Sequence, residues 1–169
     1  METAELAFRM IHDFPRGTLA GLLTDAYSFD PRFARHWASD WRTFDDFFFD
    51  HPEIAERCGF ITVFGETPIG FASWDPRNRP AFVEIGHNCI APRHQGRGFG
   101  TAQLLEAVAR IRRTGAERIC VTTSEVLFPA QRMYAKAGFR ELRRRECGDF
   151  CGKRIDCEYR VQEPQNGSC

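Results

Sequence analysis

No lysine occurs between Met1 and Tyr134. That absence excludes a Walker-type phosphate loop, which needs a Gly-Lys-Ser/Thr step. The chain has no apolar run long enough to cross a bilayer and no charged-then-apolar N-terminal pattern, so a cytoplasmic protein without membrane contact is expected. Net charge is also missing: Lys+Arg and Asp+Glu are balanced at 23 each. A dedicated nucleic-acid binder would carry a basic excess, so no nucleic-acid partner is expected. No internal repeat, low-complexity tract or linker breaks the chain. The 7 cysteines are an odd number outside a small disulfide framework, which reads as free thiols. The spacings of Cys147, Cys151, Cys157 and Cys169 match no usual framework of two C-x₂₋₄-C pairs, and no histidine lies nearby in sequence, so no metal is expected.

What is present suits one domain. A chain of 169 residues with 43% hydrophobic residues and 16 Phe can bury a sizeable core. Residues 1–161 are expected to form that domain and the polar tail 162–169 to be disordered. Leu6–Ile11 reads as a strand, and after Phe14-Pro15 a helical face of Leu19, Leu22, Leu23 and Ala26 follows. Asp30 and Pro31 have the chemistry of an N-cap and first helical position. The helix they open carries Phe33, Trp37, Trp41, Phe44 and Phe48 at steps of four, four, three and four. This aromatic stripe fits core packing, with part of it available to line a substrate pocket. A short helical piece follows His51-Pro52. Gly59–Phe64 and Ile69–Trp74 read as strands around a Gly65–Pro68 turn, and Asp75–Pro80 as a second turn. Arg118–Thr123 is a further strand and Tyr134 lies on a helix. Phe139–Cys147 and Lys153–Val161 form a last strand pair.

The stretch from Ala81 to Arg113 organises the rest. Phe82–Ile90 is strand-like and stops at Ala91-Pro92. From Thr101, Leu104, Leu105, Val108 and Ile111 follow a helical period with one buried face. Between them, Gln95-Gly96-Arg97-Gly98-Phe99-Gly100 permits backbone conformations closed to other residues. Its amides and those of the first helical turn would converge on an anion such as a pyrophosphate. The spacing is G-x-G-x-G in mid-chain, not the G-x-G-x-x-G of a dinucleotide fold near the first strand.

This segment resembles the GCN5-related N-acetyltransferase (GNAT) superfamily. The family signature Gln/Arg-x-x-Gly-x-Gly/Ala is met by Gln95, Gly98 and Gly100, behind an Ile90-Ala91-Pro92 strand end. A second block, Ala130 to Phe139, resembles the family's A-x-x-x-Y-x-x-x-G-F element. The resemblance covers roughly residues 58 to 145. It implies an α/β fold with a mixed, mostly antiparallel central sheet flanked by helices, in the order β-α-α-β-β-β-α-β-α-β-β.

The resemblance also implies the chemistry: transfer of an acetyl group from acetyl-CoA, as co-substrate, to a primary amine by direct attack in a ternary complex. Gln95, Gly96, Arg97, Gly98, Phe99, Gly100 and Thr101 would hold the pyrophosphate. Cys89, Ile90 and Ala91 would offer backbone hydrogen bonds to the pantetheine arm and acetyl carbonyl. Glu84 sits where histone-acetylating members carry their catalytic glutamate, and it would share a strand face with Asn88 unless a bulge intervenes. As the base it would take the amine's proton; apolar neighbours would tune it, while an outward-facing strand residue is the plainer reading. His87 or water is the other candidate base. Tyr134 matches the family residue beside the CoA sulfur and would protonate the departing thiolate, or simply pack in the core. Ser124-Glu125 departs from the Asn that many members place against pantetheine. A catalytically silent CoA-binding module and a transferase using another acyl-CoA remain alternatives. The acceptor, small molecule or protein amine, stays open, as does a homodimer.

Overall fold

The computed structural model describes residues 4–161; the tail 162–169 lies outside them. Seven strands form one largely antiparallel sheet in the order β1-β2-β3-β4-β5-β7-β6. The strands are β1 (Leu6–Arg9), β2 (Gly59–Phe64), β3 (Thr67–Asp75), β4 (Val83–Ile90), β5 (Arg118–Ser124), β6 (Arg140–Arg145) and β7 (Arg154–Arg160). The helices are α1 (Thr18–Ala26), α2 (Pro31–Asp50), α3 (Pro52–Cys58), α4 (Phe99–Arg112) and α5 (Phe128–Lys136). The expected order therefore holds with one addition, since the short piece after His51 is a third helix in its own right. The first strand is shorter than expected because Ile11–Asp13 turns into a 3-10 segment. No helix among the described residues is long and apolar enough to cross a membrane.

The chain's contacts fall into two compact units: the chain up to Trp74 with Gly86–Ala107, and Asp75–Ile85 with the chain from Val108. In the first, Asp30 caps α2 by accepting from the Arg32 amide at 2.9 Å, with Pro31 next in the helix. The aromatic stripe splits by depth. Phe33, Trp41 and Phe48 are buried, whereas Trp37 and Phe44 are half-buried. Phe44 stacks on Phe71 of β3 and meets His87 of β4 at a tilt. Among these rings lies a residue that periodicity could not assign. Asp45 is 2% exposed and accepts from the Gly17 and Ala20 amides at 2.7 and 3.1 Å. It thus caps α1, whose own preceding residue is Gly17 at φ +95°.

In the second unit, β4 and β5 run parallel through Val83–Ile85 and Ile119–Val121. Strand β5 pairs antiparallel with β7 along its whole length, and β7 pairs with β6 across a register shift at Glu141/Arg143. Strand β6, sequence RELRRR, is exposed at every residue. Charged side chains and the bulge blunt this sheet edge. Helix α5 buries Tyr134, which meets Phe139 edge-on at 5.5 Å; Phe139 in turn packs on Tyr159.

Candidate active site

The glycine turn forms where the sequence places it. Pro92–His94 makes a 3-10 turn, and Gly96 and Gly98 take φ of +72° and +83°. Nothing lies within 4 Å of a Cβ built on either. Backbone conformation, not crowding from this chain, is what demands glycine. Helix α4 closes its first hydrogen bond from the Ala102 amide to the Gly98 carbonyl at 3.0 Å. The amides of Phe99, Gly100 and Thr101, in its first turn, therefore have no intrahelical acceptor.

Positive charge surrounds that opening. The Arg97 guanidinium lies over the rings of Phe64 and Phe99 at 4.9 and 4.8 Å. The Arg93 Nε donates to Nε2 of His94 at 3.2 Å. Neither arginine pairs with a carboxylate among the described residues. Desolvation, then the charges of Arg93 and Arg97, lower the His94 pKa.

The strand end before the turn is held by side chains that sequence patterning missed. Gln103 is fully buried. Its Nε2 faces the carbonyls of Phe71 and Cys89 at 2.9 and 3.1 Å and Oδ1 of Asn88 at 2.7 Å. Its Oε1 accepts from the Thr62 hydroxyl at 2.6 Å. The turn's own Gln95 donates Nε2 to the Ile90 carbonyl at 2.9 Å, and the Ala91 amide donates to the Ile69 carbonyl at 2.7 Å. Cys89, Ile90 and Ala91 thus each already have a backbone group hydrogen-bonded within the chain, the first two to glutamine side chains. A Cβ on Gly70 would lie 2.2 Å from the Cys89 carbonyl oxygen, so glycine is what lets these backbones approach. The buried face of α4 is accordingly Gln103, Leu104, Ala107, Val108 and Ile111, while Leu105 is 50% exposed. Leu105 was expected on that face; a polar glutamine takes its place because the carbonyls beneath need a donor.

A Cβ on Gly86 would lie 3.9 Å from the Ser73 hydroxyl, and the next residue, His87, packs on Phe44 and Phe71. His87, mostly buried between two rings, has its pKa lowered to about 4 by desolvation. The buried Cys89 thiol is pushed up to about 12 by the same cause.

Glu84 lies in the second unit, paired in register with Cys120. It is exposed and has no hydrogen bond or ion pair among the described residues. It lines a cavity of about 390 Å³ with mixed walls, apolar from Val121 and Leu142 and polar from Thr122, Arg143, Arg145 and Asp156. Asp156 is held well below the usual carboxylate range, first by Arg145 and then by Arg143 and Thr122. Tyr134 is 6% exposed. Ser124 and Glu125 are structural: the Ser124 hydroxyl donates to the Cys151 carbonyl at 2.9 Å, and Glu125 accepts from the Lys153 amide at 2.9 Å. Among the described residues no group of three or more His, Cys, Asp or Glu is placed to hold a metal ion.

Comparison with known proteins follows the same lines. A model of the acetyltransferase (GNAT) family matches residues 20–139. Among solved structures, a Desulfovibrio desulfuricans protein assigned to the GNAT family superposes with TM-score 0.75 at 19% identity, covering 94% of this chain and 99% of that one. The PaiA N-acetyltransferase of Thermoplasma acidophilum, crystallised with coenzyme A, gives TM-score 0.75 at 14% identity over 93% and 99%. The Escherichia coli ribosomal-protein-S18-alanine N-acetyltransferase gives 0.69 at 15% identity over 98% of each chain. No curated protein matches by sequence. At these identities the structures speak for the fold, and the family match, spanning well over half the chain, speaks for kinship. The chain belongs to the GNAT acetyltransferase family.

Proposed function

We propose that this protein transfers the acetyl group of acetyl-CoA to a primary amine by direct attack in a ternary complex. One observation carries the reading: the turn from Gln95 to Gly100, with two left-handed glycines, free first-turn amides and two arginines unpaired with carboxylates. Such an opening favours a pyrophosphate. Relatives in fold have been crystallised with acetyl-CoA or CoA, which supports the same co-substrate here. A single family model spans both compact units, in keeping with one catalytic domain over residues 1–161.

The residues suit each step. The neutral amine's lone pair attacks the thioester carbonyl carbon; the C–N bond forms as the C–S bond breaks. An amine with a lysine-like pKa of about 10.4 must first lose a proton. Glu84, exposed and unpartnered, takes it directly or through water. Tyr134 returns a proton to the leaving CoA thiolate. Cys89, with its thiol pushed up to about 12, is almost wholly protonated at neutral pH, and a protonated thiol is a poor nucleophile. That favours direct transfer over an acyl-enzyme. Release of free CoA thiol across an amine panel tests the proposal; no release above hydrolysis with any amine or amine-bearing peptide would overturn it.

A further inference from the structure

The cavity beside Glu84 has a charge pattern that selects among amines. Its two carboxylates are not equivalent. Asp156 is saturated: Oδ2 accepts from Nε of Arg143 and Nε of Arg145, both at 2.7 Å, and Oδ1 from Nη2 of Arg145 at 2.7 Å and the Thr122 hydroxyl at 3.0 Å. It has no capacity left for an ammonium. Glu84 makes no hydrogen bond or ion pair among the described residues and its charge reaches Arg145 only through space, so it is the cavity's one carboxylate with acceptor capacity left for an ammonium. The arginines are only partly engaged. Arg143 uses Nε alone, which leaves both terminal nitrogens as donors, and its side chain is 70% exposed. Arg145 leaves Nη1 over. Binding Asp156 fixes both guanidinium planes, so the remaining N–H groups are held in place for a second anion.

The cavity therefore presents one free carboxylate and a fixed pair of guanidinium groups. Strands β4 and β7, which carry Glu84 and Asp156, are two strand spacings apart, about 10 Å. An amino acid with a hydrogen bond at each end spans a distance of that order. About 390 Å³ lies at the small end of ligand cavities, which begin near 300 Å³. A polyamine or a plain cationic amine would leave the arginines facing positive charge.

We propose that the acceptor is a small zwitterion of the amino-acid class, its ammonium at Glu84 and its carboxylate at the terminal nitrogens of Arg143 and Arg145. This rests on the acetyl-transfer reading for the reaction but not for binding. The test uses matched pairs: an amino acid, its carboxamide and its decarboxylated amine. With the full chain and acetyl-CoA, the wild type is expected to show kcat/KM at least tenfold higher for the amino acid, the gain from one charge-assisted contact. Arg143→Gln should remove most of that preference through KM, with the decarboxylated amine changed less than threefold and Arg143→Lys intermediate. Equal rates for the pair in the wild type, or equal loss for both in the variant, would overturn the proposal. If nothing turns over, calorimetry of the same pairs against the CoA-loaded protein decides. Tenfold tighter binding of the amino acid keeps the zwitterion site and discards the enzyme reading; equal or absent binding discards the site.

Discussion

The two compact units carry their candidate functions in different materials. In the first, the work falls to backbone: left-handed glycines, first-turn amides, and strand-end carbonyls gripped by Gln95 and Gln103. In the second it falls to side chains, the unpartnered Glu84 and the buried Tyr134. Backbone sites bind and position, and depend on conformation; side-chain sites move protons, and depend on identity. Substitutions in the first unit should therefore act on acetyl-CoA affinity, and those in the second on kcat.

Tyr134→Phe probes that division with the largest expected effect. The ring and its burial remain, so stability should fall by only about 1 kcal/mol. Loss of a positioned acid should lower kcat by about 10²–10⁴-fold with KM for acetyl-CoA nearly unchanged. A kcat within a few-fold of wild type would return Tyr134 to core packing.

Glu84→Gln should lower kcat/KM by about 10²-fold near neutral pH and recover in part at high pH, where the amine deprotonates unaided. A variant with the wild-type pH profile would remove Glu84 from proton transfer.

Gln103→Leu sharpens the comparison from the first unit. It leaves the Thr62 hydroxyl and the Phe71 and Cys89 carbonyls short of a partner in a dry site, at a cost of about 2–4 kcal/mol. If the strand end serves acetyl-CoA, KM for it should rise about tenfold through lost positioning while kcat holds. Denaturant melts and initial rates measure both. A stability loss with unchanged KM would make Gln103 purely structural.

The smallest effect concerns pH. His87 has its pKa lowered to about 4 from the usual 6.5 or so. The unfolded chain therefore takes up a proton that the folded chain refuses. Its contribution is fully present above pH 6.5 and is lost as pH falls through 4, by about 3 kcal/mol in all. Comparing wild type with His87→Phe between pH 4 and 7 isolates it. Parallel curves would show that His87 is not the group responsible.

Much of this was legible in sequence, and the failures share a cause. The Asp30 cap, the Gly96/Gly98 turn and the strand–turn–helix about it are local, and local chemistry can be read residue by residue. The packing of His87 between Phe44 and Phe71 depends on α2 and β3, segments distant in sequence. Gln103 and Asp45 look like surface residues in any apolar pattern. Each is buried because backbone groups elsewhere in the chain need it: carbonyls of β3 and β4, amides of α1. One signal was available for Gln103, which sits on the i, i+4 line with Ala107 and Ile111. The arginines in the cavity beside Glu84 come from β6, three strands away in the sheet order.

Calorimetric titration of acetyl-CoA into wild type and Gly98→Asp tests the central claim most directly. Position 98 has open space for a side chain but a left-handed φ of +83°, so the variant's fold is first checked by its melting curve. The account predicts micromolar-range binding to wild type, about −8 kcal/mol, and at least a hundredfold loss in the folded variant through steric block and charge repulsion. Unchanged affinity in a folded Gly98→Asp protein would contradict it.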